Sequence, residues 1–130
     1  MDRKILVLGG ASYDDIIHVD EFFDAKQATI FSKSSYSMAG STGVGKALAF
    51  KKLGFDVTLQ AMIGKDIYGE LIKEELETSG VRFYPYLTDT TERHTNIMDD
   101  HGRRITIYKA LSNDVYIDVE RYEEIIKEAD

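Results

Sequence analysis

The apolar run Ile5-Leu-Val-Leu8 ends directly in Gly9-Gly10, and this feature constrains the chain more than any other. A short, continuous apolar run closed by a turn is the pattern of a strand buried on both faces, and such strands belong to parallel sheets. Parallel strands need crossover helices, which the next segments supply. From Gly43 to Leu53, Val44, Ala47, Leu48, Phe50 and Leu53 make a broad apolar helical face closed by Gly54. Asp56 to Ile63 reads as a second interior strand. Beyond Gly64-Lys65-Asp66 a helix carries Ile67, Leu71, Ile72 and Leu76 on one side until Gly80.

Other segments follow a different pattern. Asp15 to Phe23 alternates loosely, and Thr29 to Met38 is rich in Ser, Tyr and Phe without helical period, so both read as exposed strands. Val81 to Leu87 and His94 to Tyr108 revert to strand chemistry, the latter around the turn Asp99-Asp-His-Gly102, which predicts a hairpin. Asp118 is placed to cap a last helix in which Val119, Tyr122, Ile125, Ile126 and Ala129 recur at helical spacing. The expected fold is α/β: a partial Rossmann-like parallel sheet with helices, from about 1–12, 40–80 and 111–130, plus a small β-sheet from 13–39 and 81–110. No repeat or linker divides residues 1–130, which read as one domain, and the one proline is Pro85.

Composition narrows the function classes. With 43% hydrophobic residues, a chain of 130 can bury roughly two-thirds of its unfolded surface, which argues against disorder. The absence of Cys excludes disulfides and thiolate metal sites. The net charge of −7 argues against nucleic-acid binding. No apolar run long enough for a signal or membrane span occurs, so a cytoplasmic protein with no membrane partner is the expectation. Residues 111 to 130 carry seven acids against Arg121 and Lys127, the pattern of a solvated helix face. Between Ala25 and Phe55 there is no acid, and Lys26, Lys33, Lys46, Lys51 and Lys52 either cover surface or attract an anionic ligand.

Gly40-Ser-Thr-Gly-Val-Gly-Lys46-Ala47 fits the P-loop pattern except at its last position, where a methyl group replaces the hydroxyl that ligates Mg²⁺. The polar run Ser32 to Ala39 before it is also unlike the buried strand a P-loop follows. Two readings of the glycines remain: free backbone N–H groups at a helix start that suit an anion or a sugar hydroxyl, or close helix-to-sheet packing. Asp14, beside Ser12 and Asp15, lies just past the first strand, where ligands bind in open α/β sheets, although an Asp after Gly-Gly also suits a plain turn. His18, His94 and His101 are scattered without i,i+4 spacing and read as surface or packing residues, so no metal site is expected.

Four blocks in order resemble the ribokinase-like (PfkB) family of carbohydrate and nucleoside kinases. Val7-Leu-Gly-Gly-Ala-Ser-Tyr-Asp14 resembles the first strand with its substrate-binding acid. Gly40 to Leu53-Gly54 is similar to the glycine signature that opens the substrate-contacting helix, with Ala39 in place of one paired glycine and Gly45 where the family has an Asn that binds a substrate hydroxyl. Ile63-Gly-Lys-Asp66-Ile-Tyr-Gly69 matches the G-x-D-x-x-G element. Thr91 to Met98, with the hairpin to Tyr108, resembles the returning strands of the substrate lid, and Arg93 lies where some members carry a phosphate-binding Arg.

This resemblance covers essentially the whole chain but corresponds to the N-terminal portion of the family. It implies phosphoryl transfer from Mg-ATP to a hydroxyl of a sugar, nucleoside or phosphosugar. Ser12, Asp14, Gly40, Ser41, Gly43, Gly45 and Arg93 are the implied substrate-binding residues, and Asp66 and Gly69 the residues that shape the turn beneath. The family's G-A-G-D signature, which holds the catalytic base, does not occur, so the base is expected beyond residue 130, and the chain alone is expected neither to be active nor to bind a cofactor tightly. Lids of this kind often clasp between subunits, which implies a homodimer. A non-catalytic sugar-binding or dimerisation module is the alternative from another class.

Overall fold

The structure is a computed structural model that describes residues 3–24, 28–110 and 119–130. Its elements run β1 (Lys4–Leu8), β2 (Ser12–Val19), β3 (Ser34–Gly40), α1 (Ser41–Lys52), β4 (Asp56–Gly64), α2 (Ile67–Thr78), β5 (Arg82–Thr88), β6 (Glu92–Asp99), β7 (Arg104–Ala110) and α3 (Val119–Glu128). They build two sheets. One is parallel throughout, in the order β1-β4-β5, and the other is mixed, in the order β3-β2-β6-β7.

The parallel sheet forms because the first apolar run and Asp56 to Gly64 pair in register, Lys4 opposite Asp56 and Leu8 opposite Gln60. Val7, Val57, Leu59, Ala61 and Ile63 meet Val44 and Ala47 of α1 and Ile72 and Leu76 of α2 in one core. Fully burying a side chain such as Leu59 contributes about 1.5–3 kcal/mol, so this layer carries the fold. Glycines stop both helices as the sequence predicts: Gly54 and Gly80 follow the last helical residues with φ of +87° and +76°. Ile67, expected on the buried side of α2, is exposed instead, because it is the first helical residue and precedes the turn that meets the core.

The mixed sheet is built from the strands expected to lie outside the core, with shifted limits: Ser12–Val19 rather than 15–23, and Ser34–Gly40 rather than 29–38. The hairpin around Asp99 to Gly102 is present as antiparallel β6 and β7. Residues 82–88 part from the expectation. They form β5, parallel to β4, so they extend the first sheet rather than the second. Their half-exposed pattern is that of a strand that, among the described residues, has β4 on one side only, where Pro85 can be accommodated. α3 lines a groove beside Leu6, Thr58 and Tyr84 through Ile125 and Ala129. Its expected cap, Asp118, lies outside the described residues.

Candidate functional site

The two sheets meet where β1 ends and β2 begins, and the glycines there have three distinct jobs. A Cβ on Gly43 would come within 2.8 Å of the Gly10 backbone nitrogen, and one on Gly9 would reach Gly43 Cα at the same distance. Close packing of β1's end against α1 therefore explains these two. Gly40 faces Asp14, because a Cβ there would overlap the Asp14 carboxylate. Gly45 is exposed, and a Cβ on it would meet nothing within 4 Å. Ser41, not Ala39, occupies the position that favours glycine. Its φ is +76°, whereas Ala39 sits in ordinary strand paired with Tyr13.

Register decides which side chains share a face. Ser12 lies opposite Glu92 and Gly40, and Asp14 opposite His94 and Met38, so these residues share one side of the mixed sheet. Asp14 is 7% exposed and Ser12 is fully buried. Yet Ser12 Oγ and Asp14 Oδ1 have no hydrogen-bond partner. Buried polar atoms are almost always satisfied, so two on one face are a standing demand for a ligand or water. Asp14 also lies against Gly40, the N-cap of α1, which has no side-chain cap; the helix dipole there favours the carboxylate, and the Val44 N–H of the first turn donates to the Gly10 carbonyl at 3.3 Å.

His94, read from sequence as a surface or packing residue, belongs to this site. Its Nε2 is 2.8 Å from Glu92 Oε1, and its Nδ1 is 3.2 Å from Asp14 Oδ1, an ion-pair distance without hydrogen-bond alignment. Tyr108 packs on the ring at 4.1 Å between centroids. Glu92, His94 and Tyr108 were not among the expected site residues. Only the parallel pairing of β2 with β6 brings them to Asp14, and sequence periodicity carries no pairing information. His18 stacks on Tyr36, and the backbone N–H of His101 donates to Asp99.

Arg93 is not brought to Asp14. Strand alternation turns it to the opposite face, where it stands 3.4 Å from Asp15 and 3.7 Å over the Tyr68 ring. Lys109 and the Ser37 hydroxyl also donate to Asp15, and these bonds, Lys109's foremost, hold its carboxyl below the usual range. Lys46 is exposed on α1 and Ala47 is buried, so the segment lacks the hydroxyl a P-loop needs, and the strand before it is exposed and antiparallel. Among the described residues no group of three or more His, Asp or Glu stands ready to hold a metal ion.

The G-x-D-x-x-G element is structural. Asp66 accepts from Gly69 N–H at 2.9 Å and caps α2, while a Cβ on Gly64 would fall 2.7 Å from Asp66 Oδ2. The pfkB family carbohydrate kinase model matches residues 2–130. The chain belongs to that family. A nucleoside kinase of Methanothermobacter thermautotrophicus is 34% identical over 62% of this chain and 26% of its own length. A ribokinase from Cryptococcus neoformans var. grubii in complex with ADP is 28% identical, with a TM-score of 0.71 over 90% of this chain and 36% of that one. A microbiome-derived acarbose kinase shares the fold at a TM-score of 0.86 and 23% identity, over 99% of this chain and 44% of that one. The pfkB chain described here spans 26 to 39% of the length of the curated relatives it matches.

Proposed function

We propose that this chain forms the substrate-binding part of an ATP-dependent kinase acting on a hydroxyl of a sugar or nucleoside. The observation that carries the reading is the pair of buried, unpartnered oxygens, Asp14 Oδ1 and Ser12 Oγ, beside the uncapped start of α1. An ionised carboxylate accepts from ligand hydroxyls, each such charge-assisted bond contributing about 1.5–3 kcal/mol. Gly40 leaves room for the carboxylate, Ser41 and Gly43 set the course of the first turn, and the open space at Gly45 admits ligand against the helix. Arg93 stands on the other face of the sheet against Asp15 and Tyr68, with its own Nε buried and unpartnered, so this reading gives it no contact with the Asp14 side.

Ala47 offers no hydroxyl for the Mg²⁺ of a P-loop, so this reading does not place Mg-ATP at the start of α1. In this reading the catalytic base and the anion-stabilising turn come from outside residues 1–130, and this segment binds and orients the accepting hydroxyl. No helix among the described residues is long and apolar enough to cross a membrane. Ile105 and Ile107 are exposed on the face of the mixed sheet away from Asp14, which supports a homodimer through that face; a monomer by sedimentation at high micromolar concentration would count against that pairing.

The substrate test is a titration of the isotope-labelled chain with D-ribose, D-fructose and adenosine, followed by amide NMR shifts. Shifts centred on Ser12, Asp14, Gly40 and Gly45 are expected for at least one ligand, and shifts confined to other surfaces would refute the site.

A further inference from the structure

We infer that His94 is the positioning residue for Asp14: Glu92 fixes the imidazole, and the imidazole holds the Asp14 carboxylate in place with Oδ1 open to a ligand. The inference rests on the substrate-binding reading above and adds to it two residues that are not among the substrate-binding residues the resemblance implies.

The three side chains form a row across neighbouring strands. Parallel register sets Ser12 opposite Glu92 and Asp14 opposite His94, and side chains two residues apart on β6 share a face. His94 is 7% exposed, with 2.8 Å from Nε2 to Glu92 and 3.2 Å from Nδ1 to Asp14. Ionised carboxylates only accept, so whichever imidazole nitrogen carries hydrogen has an acceptor on its side, Glu92 at Nε2 and Asp14 at Nδ1. The cations near this part of the sheet, Arg93 and Lys109, are on the opposite face with Asp15. From β3 the residue in register with Asp14 is the uncharged Met38, and from β7 Tyr108 packs on the imidazole. His94 is thus the polar side chain set against the buried Asp14 carboxylate, an arrangement in which removing one partner is costly. Because Nδ1 is off the hydrogen-bond line to Oδ1, the imidazole sits against that oxygen without its accepting capacity being spent.

A double-mutant cycle separates this role from simple packing. His94→Phe keeps a ring against Tyr108 and deletes both nitrogens, Glu92→Gln keeps an acceptor and deletes the outer charge, and Asp14→Asn removes the inner charge. Calorimetric titration with D-ribose and with adenosine is expected to show about tenfold weaker binding for His94→Phe and a loss of a few fold for Glu92→Gln. In the Asp14→Asn background, His94→Phe should cost less than about twofold more, because its effect is exerted through a charge already gone. Wild-type affinity in folded His94→Phe, or fully additive losses in the double variant, would overturn the inference. If the unsubstituted chain binds neither probe, the substrate reading is what fails. The pair is then read in urea unfolding of the same four proteins, where non-additive changes support the His94–Asp14 coupling and additive ones overturn it.

Discussion

Asp66 accepts two hydrogen bonds from Thr91: the hydroxyl donates to Oδ1 at 2.6 Å and the backbone N–H donates to Oδ2 at 2.9 Å. Thr91 Oγ1 in turn accepts from Gly64 N–H at 2.8 Å, so the end of β4, the start of α2 and the entry to β6 are joined at one point. β4 belongs to the parallel sheet and β6 to the mixed one, so this junction sets how the face bearing His94 meets the core.

Removing the junction should therefore loosen the site as well as the fold. Asp66→Ala deletes the helix cap and both bonds to Thr91 and is expected to cost about 2 kcal/mol or more. Thr91→Val keeps the backbone bond and should cost about half as much. Urea unfolding measures both, and equal stability of Asp66→Ala and the unsubstituted chain would contradict the assignment.

The glycine segment gives three substitutions with different signs. Gly45→Ala adds a methyl group to open space on a helix and should stabilise by about 0.5–1 kcal/mol. Ser41→Gly relieves a left-handed residue and should stabilise by up to about 1 kcal/mol. Gly43→Ala forces β1 and α1 apart and should destabilise by about 1–3 kcal/mol. Thermal unfolding of the three variants checks the order, and a neutral Gly43→Ala would show that the close packing yields at no cost.

Acid should unfold the chain partly through Asp66 and Asp99. Burial pushes the Asp66 carboxyl up, but bonds from the Thr91 hydroxyl, the Thr91 N–H and the Gly69 N–H outweigh it and hold the group below its ordinary 3.8. At Asp99, burial likewise raises the carboxyl, and the Arg103 N–H and side chain with the His101 N–H more than reverse it. A carboxyl depressed in the folded state stabilises above its unfolded value and loses that stabilisation as pH falls through the lower folded one. Unfolding free energy should thus decline from about pH 4 downward, and less steeply in Asp66→Asn. An unchanged slope in that variant would remove Asp66 from the account.

Phosphoryl transfer needs a base and a stabilised γ-phosphate in line with the accepting hydroxyl, and the proposed reading assigns residues 1–130 only the hydroxyl's side of that geometry. A coupled ADP-release assay on chain verified by mass, with Mg-ATP and a panel of pentoses, hexoses, phosphosugars and nucleosides, should give no turnover above buffer. Turnover that survives repurification and disappears with Asp14→Asn would place a catalytic base within these residues.

The parallel core was legible because Asp56 to Ile63 is an almost wholly buried strand and because Gly54 and Gly80 stop helices in a way few other residues can. Ile5 to Leu8, read as buried on both faces, is only partly so, with Val7 buried and Leu8 exposed at the sheet's edge. β5 was misplaced because a strand paired on one side alternates like one outside the core. Within the candidate site, the meeting of Asp14 and Gly40 was legible from their position after β1 and before α1, while their role in binding is the proposal made above. His94 and Glu92 were not, since nothing local records that β6 lies parallel to β2. Arg93 was read towards the ligand, but a one-residue step along β6 from His94 turns it to Asp15.

Adjacent carboxylates with opposite surroundings supply the most direct test of the substrate site. Asp14 faces the unpartnered site, and Asp15 faces Lys109, Arg93 and Ser37. With the ligand that shifts the Asp14 region, calorimetry on folded Asp14→Asn should show affinity lower by about a hundredfold, as expected when roughly 3 kcal/mol of charge-assisted bonding is lost, while Asp15→Asn should bind within about twofold of the unsubstituted chain. Unchanged affinity in Asp14→Asn, or an equal loss in both variants, would contradict the assignment of Asp14 as the residue that holds the substrate hydroxyl.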